Sequence, residues 1–78
     1  MNWMNHLYHV YQKLDIAGYQ QVKQDILTAQ ITGCNSGEIY YLILQQLVLI
    51  KKEQPAVYEL IKNEAESIIR SGGLGYAA

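Results

Sequence analysis

Residues 38–50 read EIYYLILQQLVLI, and ten of the thirteen are apolar or tyrosine, the exceptions being Glu38, Gln45 and Gln46. A helix that is apolar nearly all round has to be surrounded by protein or lipid. At about 20 residues per membrane crossing, this run is too short to span a bilayer. It predicts a central helix that other helices, or another chain, must cover. Projected at about 100° per residue, Ile39, Ile50, Ile43, Leu47, Tyr40, Leu44, Val48 and Tyr41 fill an arc of about 200°. Leu42 and Leu49, one heptad apart, stand separately, between Gln45/Lys52 on one side and Gln46/Glu53 on the other. The broad arc is the expected core face. The Leu42/Leu49 seam is either a further packing surface or a contact with a second chain.

The punctuation before this run marks its start. In Gly33-Cys34-Asn35-Ser36-Gly37-Glu38, Gly33 fits a left-handed helix-ending position. Asn35 offers a side-chain oxygen to the first free amides, with Glu38 three residues on completing a capping-box pattern. Ser36 is the competing cap, in which case Glu38 complements the positive end of the helix dipole. The predicted helix covers 36–53. Pro55, favoured in a first helical turn and excluded from a helix interior, opens another over 55–70. Val57, Tyr58, Ile61, Ala65, Ile68 and Ile69 form its apolar stripe, and Gly72-Gly73 is its expected stop.

Upstream, residues 2–14 place Trp3, Met4, Leu7, Tyr8, Val10, Tyr11 and Leu14 on one half of the wheel, with Asn5, His6, His9, Gln12 and Lys13 opposite. Asp15 and Gly18 then mark a tight turn, Asp15 as a cap for the next helix and Gly18 as a source of backbone freedom. Residues 19–32 gather Tyr19, Val22, Ile26 and Ala29, with Leu27 and Ile31 as a second small patch to the side. Four helices with three short connections predict an all-α, up-and-down antiparallel bundle with the hydrophobic third helix at its centre. One domain over 1–71 and a flexible glycine-rich tail over 72–78 complete the expected organisation. The terminal Tyr76-Ala77-Ala78 resembles the apolar, small-residue ends read by bacterial unfolding proteases, which would imply regulated turnover. A frayed end explains the same residues.

Composition narrows the function classes. The net charge is −1, charged residues make up 17%, and Arg70 is the single arginine, so the basic footprint of a nucleic-acid binder is missing. No helix carries the Lys/Arg-rich polar face that binds an anionic membrane surface. One cysteine, Cys34, rules out an internal disulfide framework and suits a reducing cytoplasm, and the first residues lack a signal-peptide pattern. A cytoplasmic, bacterial-type protein is the expectation. Tyrosine occurs seven times and phenylalanine not at all, a choice that suits half-buried rims and interfaces.

Constellations for chemistry are sparse. His6 and His9 have a spacing that two metal ligands could share, but they lie on a polar face with no carboxylate beside them, so no metal site is expected. Cys34 precedes a helix N-terminus, where the dipole favours a thiolate; a catalytic cysteine would also need a base and an orienting group. The GCNSGE turn lacks the glycine spacing and lysine of a phosphate loop, and no cofactor is expected. These readings favour a non-catalytic protein–protein interaction module over an enzyme. The expected form is homodimeric, with a narrower version that neutralises a partner enzyme, as an immunity protein or antitoxin does. Its candidate contact residues are Leu42 and Leu49 with Gln45 and Gln46, Leu27 with Ile31, and Tyr41 at the rim. The alternative is a ligand- or redox-responsive regulator working through the Cys34 turn.

Overall fold

Periodicity of apolar residues yields four helices in the computed structural model, which describes the backbone of residues 3–77 and the side chains of residues 3–71. They are α1 (Trp3–Ala17), α2 (Gln20–Thr32), α3 (Ser36–Glu53) and α4 (Pro55–Ala77). Among the described residues there is no strand. Each helix packs on its neighbours in the chain, α1 on α2, α2 on α3 and α3 on α4, and α1 closes the ring against α4. The diagonal pairs α1/α3 and α2/α4 face each other across the core. Side-chain bonds fix the directions. Tyr40 at the start of α3 meets Ile68 and Ile69 late in α4, whereas Lys51 near the end of α3 meets Tyr58 near the start of α4. Lys13, late in α1, reaches Leu60 and Glu64 in the first half of α4. These crossings define the expected antiparallel up-and-down bundle.

The core is built from the apolar faces of all four helices. Leu7, Val10 and Leu14 of α1 meet Ile26 of α2, Ile43 and Leu47 of α3, and Ile61, Ala65 and Ile68 of α4, all essentially without exposure. Burial of a Leu or Ile side chain contributes about 1.5–3 kcal/mol, so these residues dominate the stability of so small a domain. The radius of gyration is 11.6 Å. A closely packed chain of this length should have about 11.5 Å, so the four short helices leave little slack between them.

Local chemistry at the ends departs from expectation in instructive ways. The first helix runs to Ala17 instead of ending near residue 14, because Gly18, at φ +85°, closes it with a paired cap. The Tyr19 amide donates to the Leu14 carbonyl at 2.9 Å and the Gly18 amide to the Asp15 carbonyl at 3.1 Å. Asp15 thus lies inside α1 and does not cap α2. Its carboxylate instead accepts from Gln20 Nε2 (2.9 Å) and Lys23 Nζ (2.8 Å) across the turn. The Lys23 bond first, and then the Gln20 bond, hold its pKa below the ordinary 3.8.

Gly33 is not left-handed either; it sits at φ −67°, ψ 143°. Its role is steric, since a Cβ there would lie 2.8 Å from the backbone nitrogen of Ile39 and 2.9 Å from its Cα. Asn35 is the cap of α3, accepting from the Glu38 amide at 2.9 Å. Glu38 returns one carboxylate oxygen to the Cys34 amide at 2.8 Å, one residue before the position a capping box uses. At the other end, α4 does not stop at Gly72-Gly73 but continues to Ala77. Each glycine costs about 1 kcal/mol relative to alanine in a helix, and propagation of a helix already formed outweighs that local preference. The side chains of residues 72–77 and all of Ala78 lie outside the described residues, so the expected tail mobility and the Tyr-Ala-Ala end fall there too.

Candidate functional site

The outer face of α3 carries exposed apolar side chains that no neighbouring helix covers. A helix in this ring touches only two neighbours closely, and α3 has α2 and α4. Two neighbours do not cover an arc of 200°. Tyr40, Ile43, Leu47 and Ile50 are buried, and Ile39, Leu42 and Leu44 are half-buried against the core. Tyr41 (60% exposed) and Val48 (62%) are left outside, contrary to the core positions that their place in the arc predicted. Tyr8 of α1 and Ile69 of α4, also expected on buried faces, are exposed as well.

Tyr41, Leu44, Gln45 and Val48 line one shallow depression along α3. Their spacing of three, four and seven residues sets them in adjacent turns on one side of the helix. Three of the four are apolar or aromatic, and Gln45 is the single amide among them, a donor and an acceptor at once. Leu49 lies beside it, 44% exposed. Glu38 and Lys52, both exposed, stand one heptad before and one heptad after Gln45, within about 20° of it on the wheel. The face therefore has an acidic end, an apolar middle centred on an amide, and a basic end.

The seven candidate contact residues divide accordingly. Tyr41, Gln45 and Leu49 share this outer face; Leu42 is half-buried against the core and Gln46 half-buried on its flank. On α2, Leu27 packs partly against the core, whereas Ile31 is 78% exposed. The Leu42/Leu49 seam is thus split, with Leu42 drawn inward and Leu49 outward. Val48 and Leu44 were not singled out for this face. Their spacing with Tyr41 was visible, but nothing in one helix says which side of a broad apolar arc its neighbours will cover.

The titratable candidates are scattered. Cys34 is exposed in the α2–α3 turn, with its backbone amide held by Glu38. His9 is exposed and His6 half-buried on α1. Among the described residues, no three His, Cys, Asp or Glu side chains gather closely enough to hold a metal ion. A second depression, at the α3–α4 turn, is lined by Lys51, Pro55, Tyr58, Glu59, Lys62 and Glu66. There the Lys51 ammonium lies 5.6 Å from the centre of the Tyr58 ring. At an exposed position such a contact contributes about 0.5–1 kcal/mol, which ties α3 to α4.

The buried polar groups serve the fold. The Tyr40 hydroxyl donates to the carbonyls of Ile69 (2.9 Å) and Ile68 (3.2 Å). Its ring meets Trp3 edge-on at 5.4 Å between centroids. The Tyr11 hydroxyl donates to Gln30 Oε1 at 2.7 Å, joining α1 to α2. Burial, with a smaller contribution from Tyr8, raises the Tyr11 pKa from 10.0 to about 12. Lys13 and Glu64, 3.0 Å apart, clasp α1 to α4. No described helix is long and apolar enough to cross a membrane. No protein-family model, curated protein or solved structure matches the chain.

Proposed function

We propose that the chain is a non-catalytic interaction module that docks another polypeptide on the outer face of α3. The observation that carries this reading is the pair of exposed side chains Tyr41 and Val48, bridged by half-buried Leu44, on a helix whose opposite side forms the core. Contiguous exposed apolar surface on a small domain marks a binding site more often than scattered single residues do. Tyrosine at its edge fits too, since an aromatic body with a polar tip tolerates both the free and the bound state. The depression is lined by no carboxylate, imidazole, thiol or amine, which suits recognition better than proton transfer.

Photo-crosslinking in cells tests the reading. A photoreactive side chain at position 48 is expected to give protein adducts, whereas one at the exposed position 12 of α1 gives none. Adducts at both positions, or at neither, would overturn it. Val48→Asp is expected to abolish the adducts formed through position 41 while changing stability by less than about 0.5 kcal/mol, because the side chain is already in water.

A further inference from the structure

Taking the docking face on α3 as given, we infer that its occupant is a second copy of the same chain, laid antiparallel on the first. The face is complementary to itself when turned end for end. Tyr41 and Val48 stand equally far from the midpoint between Leu44 and Gln45, so a two-fold axis through that midpoint sets each Tyr41 ring against the other copy's Val48. The same rotation brings the Glu38 end of each helix over the Lys52 end of the other. Gln45 lies next to the axis, where its amide supplies both the donor and the acceptor that an identical amide requires.

The charges select the direction. A parallel two-fold would place Glu38 beside Glu38 and Lys52 beside Lys52, whereas the antiparallel arrangement converts both repulsions into attractions. Glu38 keeps this capacity in the fold, since the Cys34 amide engages one of its two carboxylate oxygens. Lys51 does not compete with Lys52, because it is turned away over the Tyr58 ring. The four lining positions, at offsets of zero, three, four and seven, form the diamond through which two helices cross when their ridges interlock. At about 1.5 Å per residue, the contacting stretch is roughly 20 Å long, so the interface lies at the small end of the known range, the class of weak, concentration-dependent contacts.

Sedimentation equilibrium of the purified chain from about 5 to 500 µM, at low and at high salt, reads the prediction directly. The wild-type chain is expected to dimerise, more weakly as salt rises. Lys52→Glu should weaken the dimer by about tenfold, since it sets two carboxylates against each other at both ends. Adding Glu38→Lys to Lys52→Glu should restore it, because the pairs re-form with exchanged signs. Val48→Asp should leave a monomer, with circular dichroism confirming that it is folded. A wild-type chain monomeric at all these concentrations overturns the second-copy assignment. So does a dimer that is indifferent to Lys52→Glu, or one that the double exchange fails to restore. If adducts at position 48 form in cells while the purified chain stays monomeric, the docking face stands and the second copy falls. If neither adducts nor dimer appear, both fall.

Discussion

At the scale of single residues, two tyrosines with hydroxyls in the interior differ in what they contribute. Tyr11 is the more informative, because burial lifts its pKa to about 12. A raised pKa in the folded state means that stability is fully present below the unfolded value of 10 and is lost as pH climbs toward 12. The loss at the upper end amounts to about 2–3 kcal/mol. Urea titrations at stepwise alkaline pH should show this decline, and Tyr11→Phe should flatten it while costing about 1 kcal/mol near neutrality through the lost bond to Gln30. Asp15 has the opposite sign. Its bonds to Lys23 and Gln20 depress its pKa, so its contribution is present above 3.8 and disappears as pH falls through the lower folded value. Asp15→Asn should remove that part of the acid sensitivity, read as a smaller change in urea midpoint between neutral and acidic buffer. Gly33 poses a steric constraint. Gly33→Ala should cost about 1–3 kcal/mol, because a methyl group would strike the backbone nitrogen and Cα of Ile39 as well as its Cγ1, and the backbone cannot swing aside.

At the scale of elements, the existence of each helix was legible because apolar residues recur with helical period, and the start of α3 was legible down to its cap. Asn35→Ala should cost about 1 kcal/mol, and Ser36→Ala much less, which chemical denaturation of the two variants would separate. The ends were less legible, for a physical reason. Asp15 has the composition of a turn residue, yet the bond from the Tyr19 amide to the Leu14 carbonyl carries α1 three residues further, to a closure that depends on Gly18. Gly72 and Gly73 have poor helical preference, yet α4 runs through them, just past carbonyls that Tyr40 already holds. A local preference of about 1 kcal/mol decides a boundary only where no longer-range contact competes. The candidate site was half legible. The apolar excess of α3 was plain in residues 38–50, but the split of that excess between core and surface depends on where α2 and α4 lie. Val48, on the core arc of the wheel, therefore lies exposed, whereas Leu42 of the separate seam packs partly against the core.

At the scale of the whole molecule, a chain of this length has about 4–12 kcal/mol of stability to lose. Ile61, with no exposure and in the first half of α4, should surrender about 2–5 kcal/mol of that as Ile61→Ala, whereas Val48→Asp should surrender almost none. A paired denaturation experiment thus distinguishes the covered from the uncovered side of the bundle. The ring of four helices also closes at one particular joint. Trp3 from the first helix, Tyr40 from the third and the carbonyls of Ile68 and Ile69 from the fourth meet there. Trp3 is the single tryptophan of the chain. Its emission therefore monitors one place only, where elements far apart in sequence come together. Light absorbed by Tyr40 passes most efficiently to the indole while that joint holds the two rings 5.4 Å apart. The share of tyrosine-excited emission at the tryptophan wavelength that Tyr40→Phe removes therefore makes the native protein its own optical ruler for closure of the ring, with no label attached.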